Sequence, residues 1–181
     1  TSYYAGHQSS FDRKINFLEY NGIDYLIDED KFGSGYVKTN ENAKGFSWGY
    51  SDSQIIKKTL VSLDNKKLLR LDIVRTQTNH EQFDFPSKNI YLSKVDSILN
   101  VVPSFKIDKS EIREHRGIYA ALLYTDDAAR NVIESYSKRP EYSNTIFIIT
   151  GDHRLLPIPQ KDKLCRYHVP LFIYSPLLKK A

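Results

Sequence analysis

The chain has 181 residues, a net charge of +4 and a pI of about 9.0. Forty per cent of the residues are apolar, with 13 Tyr and 9 Phe, which excludes a disordered chain and suits one domain or a large part of one. Basic and acidic residues are interspersed and form no long basic run, so nucleic-acid binding is not supported. The mildly basic balance agrees with an anionic substrate or a membrane surface, and equally with an ordinary soluble surface.

The single cysteine, Cys165, excludes an internal disulfide framework. No apolar run approaches the roughly 20 residues of a membrane-spanning helix. The chain begins at Thr1 and contains no methionine. We therefore expect it to be a piece of a longer protein, whose ends need not be natural.

Short apolar runs alternate with helical patterns, which favours an α/β fold. Ser51 with Gln54 resembles a capping box that starts a helix, and the β-branched run at 145–149 is typical of a parallel strand covered on both faces. The predicted order is a strand at 1–5, a helix at 10–20, a strand at 23–27, a long loop at 28–50, a helix from 51 to about 65, a strand at 68–74, a loop through 83–86, a helix from 108 or 110 to about 137, and strands at 145–149 and 169–174.

Two of these strands end in polar clusters, at the place where open α/β sheets bind ligands. Asp152 and His153 follow the strand at 145–149, and together they offer a carboxylate oxygen and an imidazole nitrogen, which suit zinc and manganese alike. Gly151 supplies the break in the strand that lets both side chains reach one ion. The pair is therefore a candidate divalent-metal half-site, and the alternative is an ordinary surface or capping pair.

The remaining candidates each have a plain structural alternative. His80 follows the strand at 68–74 and has two interpretations. It either binds phosphate or donates a proton, or it is a loop histidine whose ring hydrogen-bonds to the backbone. His7 lies in a glycine-containing turn and reads equally as a solvated loop residue. Arg154, next to the metal pair, either neutralises an anion or is solvated.

Seven segments, in order along almost the whole chain, resemble motifs of the extracytoplasmic, sulfatase-like lipoteichoic acid synthase and phosphoglycerol transferase family. Each motif alone is weakly specific, and the ordered set is specific. The segments are Tyr3-Tyr4-Ala5-Gly6-His7-Gln8-Ser9-Ser10-Phe11-Asp12, Asn21-Gly22-Ile23-Asp24, Trp48-Gly49-Tyr50-Ser51-Asp52, Thr78-Asn79-His80-Glu81-Gln82-Phe83, 119–127, 144–153 and 167–176.

The resemblance implies an α/β, alkaline-phosphatase-like three-layer sandwich with a mostly parallel central sheet. It implies that 1–181 is the C-terminal part of one sulfatase-like catalytic domain. It also implies an extracytoplasmic location, with anchoring by an N-terminal membrane region that this chain does not contain.

The resemblance also implies roles for particular residues. Asp152 and His153 would ligate the catalytic divalent metal, with Mn²⁺ expected first and Zn²⁺, Mg²⁺ or Ca²⁺ as alternatives. His80 would act at the substrate phosphate or headgroup. The substrate-binding residues would be His7, Arg13 (or its neighbour Lys14) and Arg154.

The chain departs from the family pattern in ways that bear on the substrate. Gln82 replaces the usual proline, and Arg154 replaces the usual glycine or tyrosine after the metal histidine. The family's nucleophilic threonine and acidic metal ligand are expected upstream of residue 1. This chain alone is therefore expected to be inactive.

Three functions follow as hypotheses. The first is metal-dependent transfer of a phosphoglycerol-type group to an envelope polymer or glycan through a covalent hydroxyl-nucleophile intermediate. The second is hydrolysis of sulfate esters on the same scaffold. The third is a non-catalytic, anion-binding fragment. The expected partner is an anionic phospho- or sulfo-ester, with a lipid-linked ester among the options.

Overall fold

A computed structural model describes residues 1–64, 69–103, 108–158 and 163–178. The chain divides into two compact units, Thr1–Arg130 and Asn131–Ala181, and each unit is described by itself. That both belong to one catalytic domain stays a prediction.

The first unit contains a three-stranded parallel sheet. Strand β1 (Ser2–Ala5) lies in the middle, between β2 (Tyr25–Ile27) and β3 (Asp72–Arg75). In the register of this sheet, Tyr3 of β1 is opposite Leu26 and Ile73. This sheet confirms the predicted parallel α/β class. The strand predicted at 68–74 is shorter in the structure, because β3 begins only at Asp72; Leu68 lies outside the described residues.

Helices cover both faces of β1, which explains the burial of this strand. Tyr4 packs with Ile55 of helix α2 (Asp52–Leu63), in a cluster that also contains Phe32 and Tyr50. Tyr3 and Ala5, on the opposite face, pack with Leu18 of helix α1 (Lys14–Tyr20). The alternation of side chains along a strand thus places a helix on each face and gives the three layers that the family resemblance implied.

Helix α1 is shorter than predicted. The sequence pattern placed its start at residue 10, but a short 3₁₀ turn covers Phe11–Arg13, and α1 begins only at Lys14. Asp12 and Arg13 have φ angles of 58° and 54°, a left-handed conformation that no α-helix contains. The helix ends as predicted, with Gly22 at φ 74° just beyond it.

Helix α2 begins at the predicted place, but the capping box does not form. Ser51 is the N-cap residue, yet its side chain makes no cap hydrogen bond. Its hydroxyl instead forms a hydrogen bond with the Tyr124 hydroxyl at 3.0 Å. The prediction that α2 runs to about residue 65 extends into residues outside the described ranges.

Three further helices lie wholly or mostly in the first unit, and the sequence analysis found only part of them. Helix α3 (Lys88–Val101) was not predicted, although Val95 and Leu99 lie one turn apart and are buried. The long helix predicted from residue 108 or 110 is two helices, α4 (Lys109–Glu114) and α5 (Arg116–Tyr136), which a non-helical His115 separates. These three helices share one apolar core with Phe85.

The second unit contains a two-stranded sheet of β4 (Phe147–Thr150) and β5 (Leu171–Tyr174). The prediction of a parallel, doubly covered strand at 145–149 is wrong in this structure, because β4 pairs antiparallel with β5 and Ile148 is 64 % exposed. A run of apolar residues predicts a strand, but it does not predict which strand pairs with it or in which direction. In the described part of the chain, no helix is long and apolar enough to cross a membrane.

Candidate functional site

The carboxyl ends of the three parallel strands lie at one edge of the sheet, and each is followed by polar residues. His7 and Ser9 follow β1, Asp28 follows β2, and the segment 77–80 follows β3. The buried carboxylate of Asp28 accepts hydrogen bonds from the backbone N–H of Ser9, at 3.2 Å, and from the Ser9 hydroxyl. The turn that carries His7 is thereby fixed to the end of β2.

His7 is only 5 % exposed and is held in its neutral form. The Lys14 ammonium lies 2.8 Å from its Nε2 and donates a hydrogen bond to it. Burial, and then the positive charges of Lys14 and Arg75, lower the pKa of His7 from 6.5 to about 4. Because Nε2 accepts a hydrogen bond, the proton of the neutral ring lies on Nδ1.

Trp48 joins His7 to His80. Its ring contacts His7 edge-on, at 6.3 Å between centroids, and lies against the His80 ring at 4.1 Å and 52°. The indole N–H donates to the backbone carbonyl of Glu81 at 3.0 Å, so the ring is anchored to the segment that carries His80. The long loop at 28–50 therefore brings Trp48 into the site.

Four buried polar side-chain atoms at this edge of the sheet make no hydrogen bond of good geometry with the described residues, although Gln77 is near enough to His7 to raise the pKa of its ring. They are His7 Nδ1, Gln77 Oε1, Asn79 Oδ1 and His80 Nδ1. Buried polar atoms without a partner are rare, because each carries a desolvation cost of about 1–3 kcal/mol. Two of the four residues, Gln77 and His80, also line a small cavity with Trp48 and Thr78. This arrangement is typical of a site that receives a polar ligand or water.

A fully buried carboxylate, Asp52, holds the segment after β3. Its Oδ1 accepts hydrogen bonds from the backbone N–H groups of Gln77, at 2.7 Å, and Thr78, at 2.9 Å. Its Oδ2 accepts from the Thr125 hydroxyl at 2.8 Å. Asp52 therefore places the residues just before His80.

The predicted substrate residues of the first unit differ in their surroundings. His7 and His80 both contact Trp48 and belong to the cluster at the sheet edge. Arg13 is exposed, in a left-handed backbone conformation, whereas its neighbour Lys14 contacts His7. Of the two basic residues left open by the sequence, Lys14 is the one in the cluster.

Asp152 and His153 lie in the second unit, in the turn after β4. Asp152 Oδ1 and His153 Nε2 are 3.9 Å apart, and both side chains are exposed. The expectation that they follow a buried strand is wrong, because β4 is largely exposed. His153 Nδ1 is 2.7 Å from the Arg154 carbonyl and donates to it, so Nε2 is the nitrogen that a metal could use. An imidazole nitrogen and a carboxylate oxygen oriented in this way fit a divalent metal as two of its ligands.

The described residues contain no cluster of three or more histidine, cysteine, aspartate or glutamate side chains able to complete a metal site. Arg154 makes local contacts, because its guanidinium lies 3.4 Å from the carbonyls of Leu156 and Ile158. It therefore contacts its own turn, and a role at an anion stays a prediction.

The sequence analysis did not assign roles to Asp28, Asp52, Gln77 or Trp48. Asp52 and Trp48 lie in a quoted family motif, but only the folded chain shows that the carboxylate bonds the loop after β3. Asp28 and Gln77 each lie just after a predicted strand, and a systematic search of all predicted strand ends would have found them.

The parallel sheet with helices on both faces, and the polar site beyond its strand ends, define a protein with the alkaline phosphatase superfamily fold. A family model described as Sulfatase matches residues 1–181, and the chain therefore belongs to the sulfatase family. Two solved structures have the same fold. A protein in the alkaline phosphatase superfamily from Vibrio parahaemolyticus has a TM-score of 0.68 at 22 % identity, with 97 % of this chain and 38 % of that chain covered.

The second structure is the lipoteichoic acid synthase LtaP from Listeria monocytogenes, with a TM-score of 0.68 at 16 % identity, and with 99 % of this chain and 43 % of that chain covered. Among curated proteins, the lipoteichoic acid synthase-like YvgJ of Bacillus subtilis (strain 168) is 21 % identical over 151 residues, which are 83 % of this chain and 21 % of YvgJ. The chain thus spans about a fifth of that relative and about two fifths of the two solved structures.

Proposed function

We propose that this chain provides the substrate-binding side of an enzyme that transfers a phosphoglycerol-type group to an envelope polymer or glycan. The observation that carries the proposal is the group of four buried polar atoms that make no hydrogen bond of good geometry, around His7 and His80. Membership of the sulfatase family, and the likeness to two proteins named for lipoteichoic acid synthesis, support ester chemistry on an envelope polymer.

The chemistry of the four atoms favours a ligand with hydroxyl groups. Neutral His7 presents Nδ1–H as a donor, whereas the side-chain amide oxygens of Gln77, which also acts on His7, and of Asn79 are acceptors. A hydroxyl group both donates and accepts, so a polyol such as glycerol matches this mixture better than a bare anion. The nearby cations of Lys14 and Arg75 suit the negative charge of a phosphoester.

The two histidines would take different roles. The low pKa of His7 keeps it neutral at physiological pH, so it orients substrate and does not carry charge. His80, held against the Trp48 ring, would protonate the leaving alcohol or stabilise the charge that develops on it. A hydroxyl nucleophile, expected on chain that precedes residue 1, would displace that alcohol from phosphorus, and an acceptor hydroxyl would then displace the nucleophile.

Asp152 and His153 would hold a divalent metal, with Mn²⁺ expected first and Zn²⁺, Mg²⁺ or Ca²⁺ as alternatives. When bound, such an ion lowers the pKa of a hydroxyl nucleophile and neutralises phosphoryl oxygens. The tautomer of His153, which the Arg154 carbonyl sets, supports its role as a ligand through Nε2.

The proposed location is extracytoplasmic, with a lipid-linked phosphoester as donor and with membrane association through chain segments other than this one. The names of the two lipoteichoic acid synthase relatives support this, because lipoteichoic acid is an envelope polymer that carries lipid.

Sulfate-ester hydrolysis is the second candidate, and the match of the Sulfatase family model over residues 1–181 favours it. Such an enzyme would release inorganic sulfate to water and would need no acceptor alcohol. Its substrate also need not present hydroxyl groups to Gln77 and Asn79.

The test compares both reactions in the full-length protein with Mn²⁺ present. One assay supplies vesicles of a phosphoglycerol lipid and measures transferred glycerol phosphate, and the other supplies an aryl sulfate and measures released sulfate. We expect transfer of glycerol phosphate, with loss in His7→Ala and retention in Glu19→Gln, an exposed control on α1. Release of sulfate without transfer would replace the proposal by the second candidate, and absence of both reactions would overturn both.

A further inference from the structure

Asp52 belongs to a buried hydrogen-bond network that joins three parts of the first unit. Besides accepting from Gln77, Thr78 and Thr125, it donates its own backbone N–H to the Thr78 hydroxyl at 3.2 Å. Beside it, the Tyr124 hydroxyl donates to Ser53 at 2.6 Å. The start of α2, the segment after β3 and the middle of α5 are thereby connected.

This network lies close in sequence to both residues of the Trp48–His80 contact. Thr78, which Asp52 holds by two hydrogen bonds, precedes His80 by two residues. Trp48 precedes Asp52 by four residues and is bonded through its indole N–H to Glu81. One carboxylate therefore sets the position of the His80 segment relative to the segment that carries Trp48.

The charge of Asp52 strengthens this arrangement. Hydrogen bonds from N–H groups to a carboxylate are about twice as strong as neutral ones, and low polarity around a buried group increases that strength. Without the carboxylate, the N–H groups of Gln77 and Thr78 would be buried without acceptors. The segment would then move to reach water or other acceptors, and His80 would move with it.

We infer that Asp52 is a positioning residue, which holds His80 against Trp48 in the geometry that the substrate requires. It contacts no substrate itself, because its side chain is fully buried and its oxygens are occupied by Gln77, Thr78 and Thr125. The expected effect of Asp52 on turnover rests on the proposed function, whereas its expected effect on the Trp48–His80 contact rests on the structure alone.

The experiment uses the full-length protein and two readouts. The first is steady-state transfer from phosphoglycerol-lipid vesicles, and the second is the emission of Trp48, taken as the difference from the same protein carrying Trp48→Phe. The emission of an indole depends on the groups that contact it, and the His80 ring lies 4.1 Å from the Trp48 ring, so His80→Ala gives the reference for a lost contact. The variants are Asp52→Ala, Asp52→Asn and Thr125→Val.

We expect Asp52→Ala to lower kcat by roughly 10- to 100-fold and to give the emission of His80→Ala, because displacement of a reacting group by about 1 Å can cost about 100-fold. Asp52→Asn should restore most of kcat and the wild-type emission, since its amide oxygen accepts from both N–H groups and the Thr125 hydroxyl can turn to accept from the amide nitrogen. Thr125→Val should change both readouts in the same direction and less.

Leu63→Ala, at the far end of α2, is the control for lost stability, because Leu63 is buried and is not part of this network. If kcat falls equally in Leu63→Ala and Asp52→Ala, the effect of Asp52 is one of general stability, and the inference is overturned. Wild-type kcat and emission in Asp52→Ala would also overturn it. If Asp52→Ala does not fold, unchanged emission in Thr125→Val overturns it instead.

A wild-type protein without transfer activity would count against the proposed function only. The emission of Trp48 in the same variants would still decide whether Asp52 positions His80. Loss of activity in His80→Ala with full activity and emission in Asp52→Ala would retain the proposed function and reject the positioning role.

Discussion

Gly6 and Gly49 lie so close that neither position has room for a side chain. A β-carbon on Gly49 would be 2.0 Å from the Gly6 carbonyl oxygen, and one on Gly6 would be 2.3 Å from the Tyr50 carbonyl oxygen. The Tyr50 N–H donates to the Gly6 carbonyl at 2.9 Å, so this contact joins the turn that carries His7 to the segment that carries Trp48.

Substitution at Gly49 tests this contact. Gly49→Ala should lower the free energy of unfolding by about 2–4 kcal/mol, because it adds a backbone clash to the cost of a positive φ of 80°. Gly35→Ala is the matched control, since Gly35 has φ 85° and open space around its β-carbon position. Urea unfolding should show a clearly smaller loss for Gly35→Ala, and equal losses would mean that the close approach is absent.

The buried, neutral His7 predicts loss of stability in mild acid. Its pKa is about 4 in the folded protein and 6.5 ordinarily, so the unfolded chain binds more protons between these values. The contribution of His7 to stability is complete above about pH 6.5 and declines as pH falls towards 4, by at most about 1.4 kcal/mol per pH unit.

The measurement is urea unfolding of the wild type and of His7→Gln across this range. Subtraction of the two profiles removes the acid groups that titrate in both proteins. A difference that does not change between pH 6.5 and pH 4 would contradict the burial of a neutral His7.

Lys14 should be the basic residue that acts on His7. Lys14→Met removes both the hydrogen bond to Nε2 and a positive charge, so the pKa of His7 should rise towards 6.5. Arg13→Gln, which changes the exposed neighbour, should leave that pKa where it is. Titration of the His7 ring by NMR distinguishes the two variants, and a rise in Arg13→Gln alone would reverse the assignment.

The metal prediction concerns Asp152 and His153. We expect full-length protein to bind Mn²⁺ or Zn²⁺, and we expect Asp152→Ala to abolish binding because it removes a carboxylate ligand and leaves His153 as the only ligand from this turn. Calorimetric titration gives the affinity directly, with the exposed Asp12→Ala as a control that changes a carboxylate far along the chain. Unchanged affinity in Asp152→Ala would refute the assignment.

The elements that could be predicted from the sequence are those that depend on the spacing of neighbouring residues along the chain. The strand predicted at 1–5 is present as β1. The helix predicted from residue 51 is present as α2, and its Ile55, Ile56 and Leu63, which are at helical spacing, are buried. The α/β class follows from the alternation of strands and helices, whereas the mostly parallel sheet and its three layers were implied by the family resemblance.

The errors occur where tertiary contacts override a local signal. Ser51 has the sequence of a capping box, but its hydroxyl bonds Tyr124, which is 73 residues away in the chain. Strand β4 pairs antiparallel with β5, which its apolar run could not reveal. His7 and His80 were named from the sequence, but their connection through Trp48 depends on a loop whose path no local pattern determines.

The most direct test of the central claim, that His80 acts in a phosphoester site beyond the parallel sheet, is the turnover of His80→Ala in the full-length protein loaded with Mn²⁺. We expect kcat to fall by roughly 100-fold or more, as for loss of a general acid, while the metal content stays that of the wild type. Normal turnover at normal metal content would contradict the account.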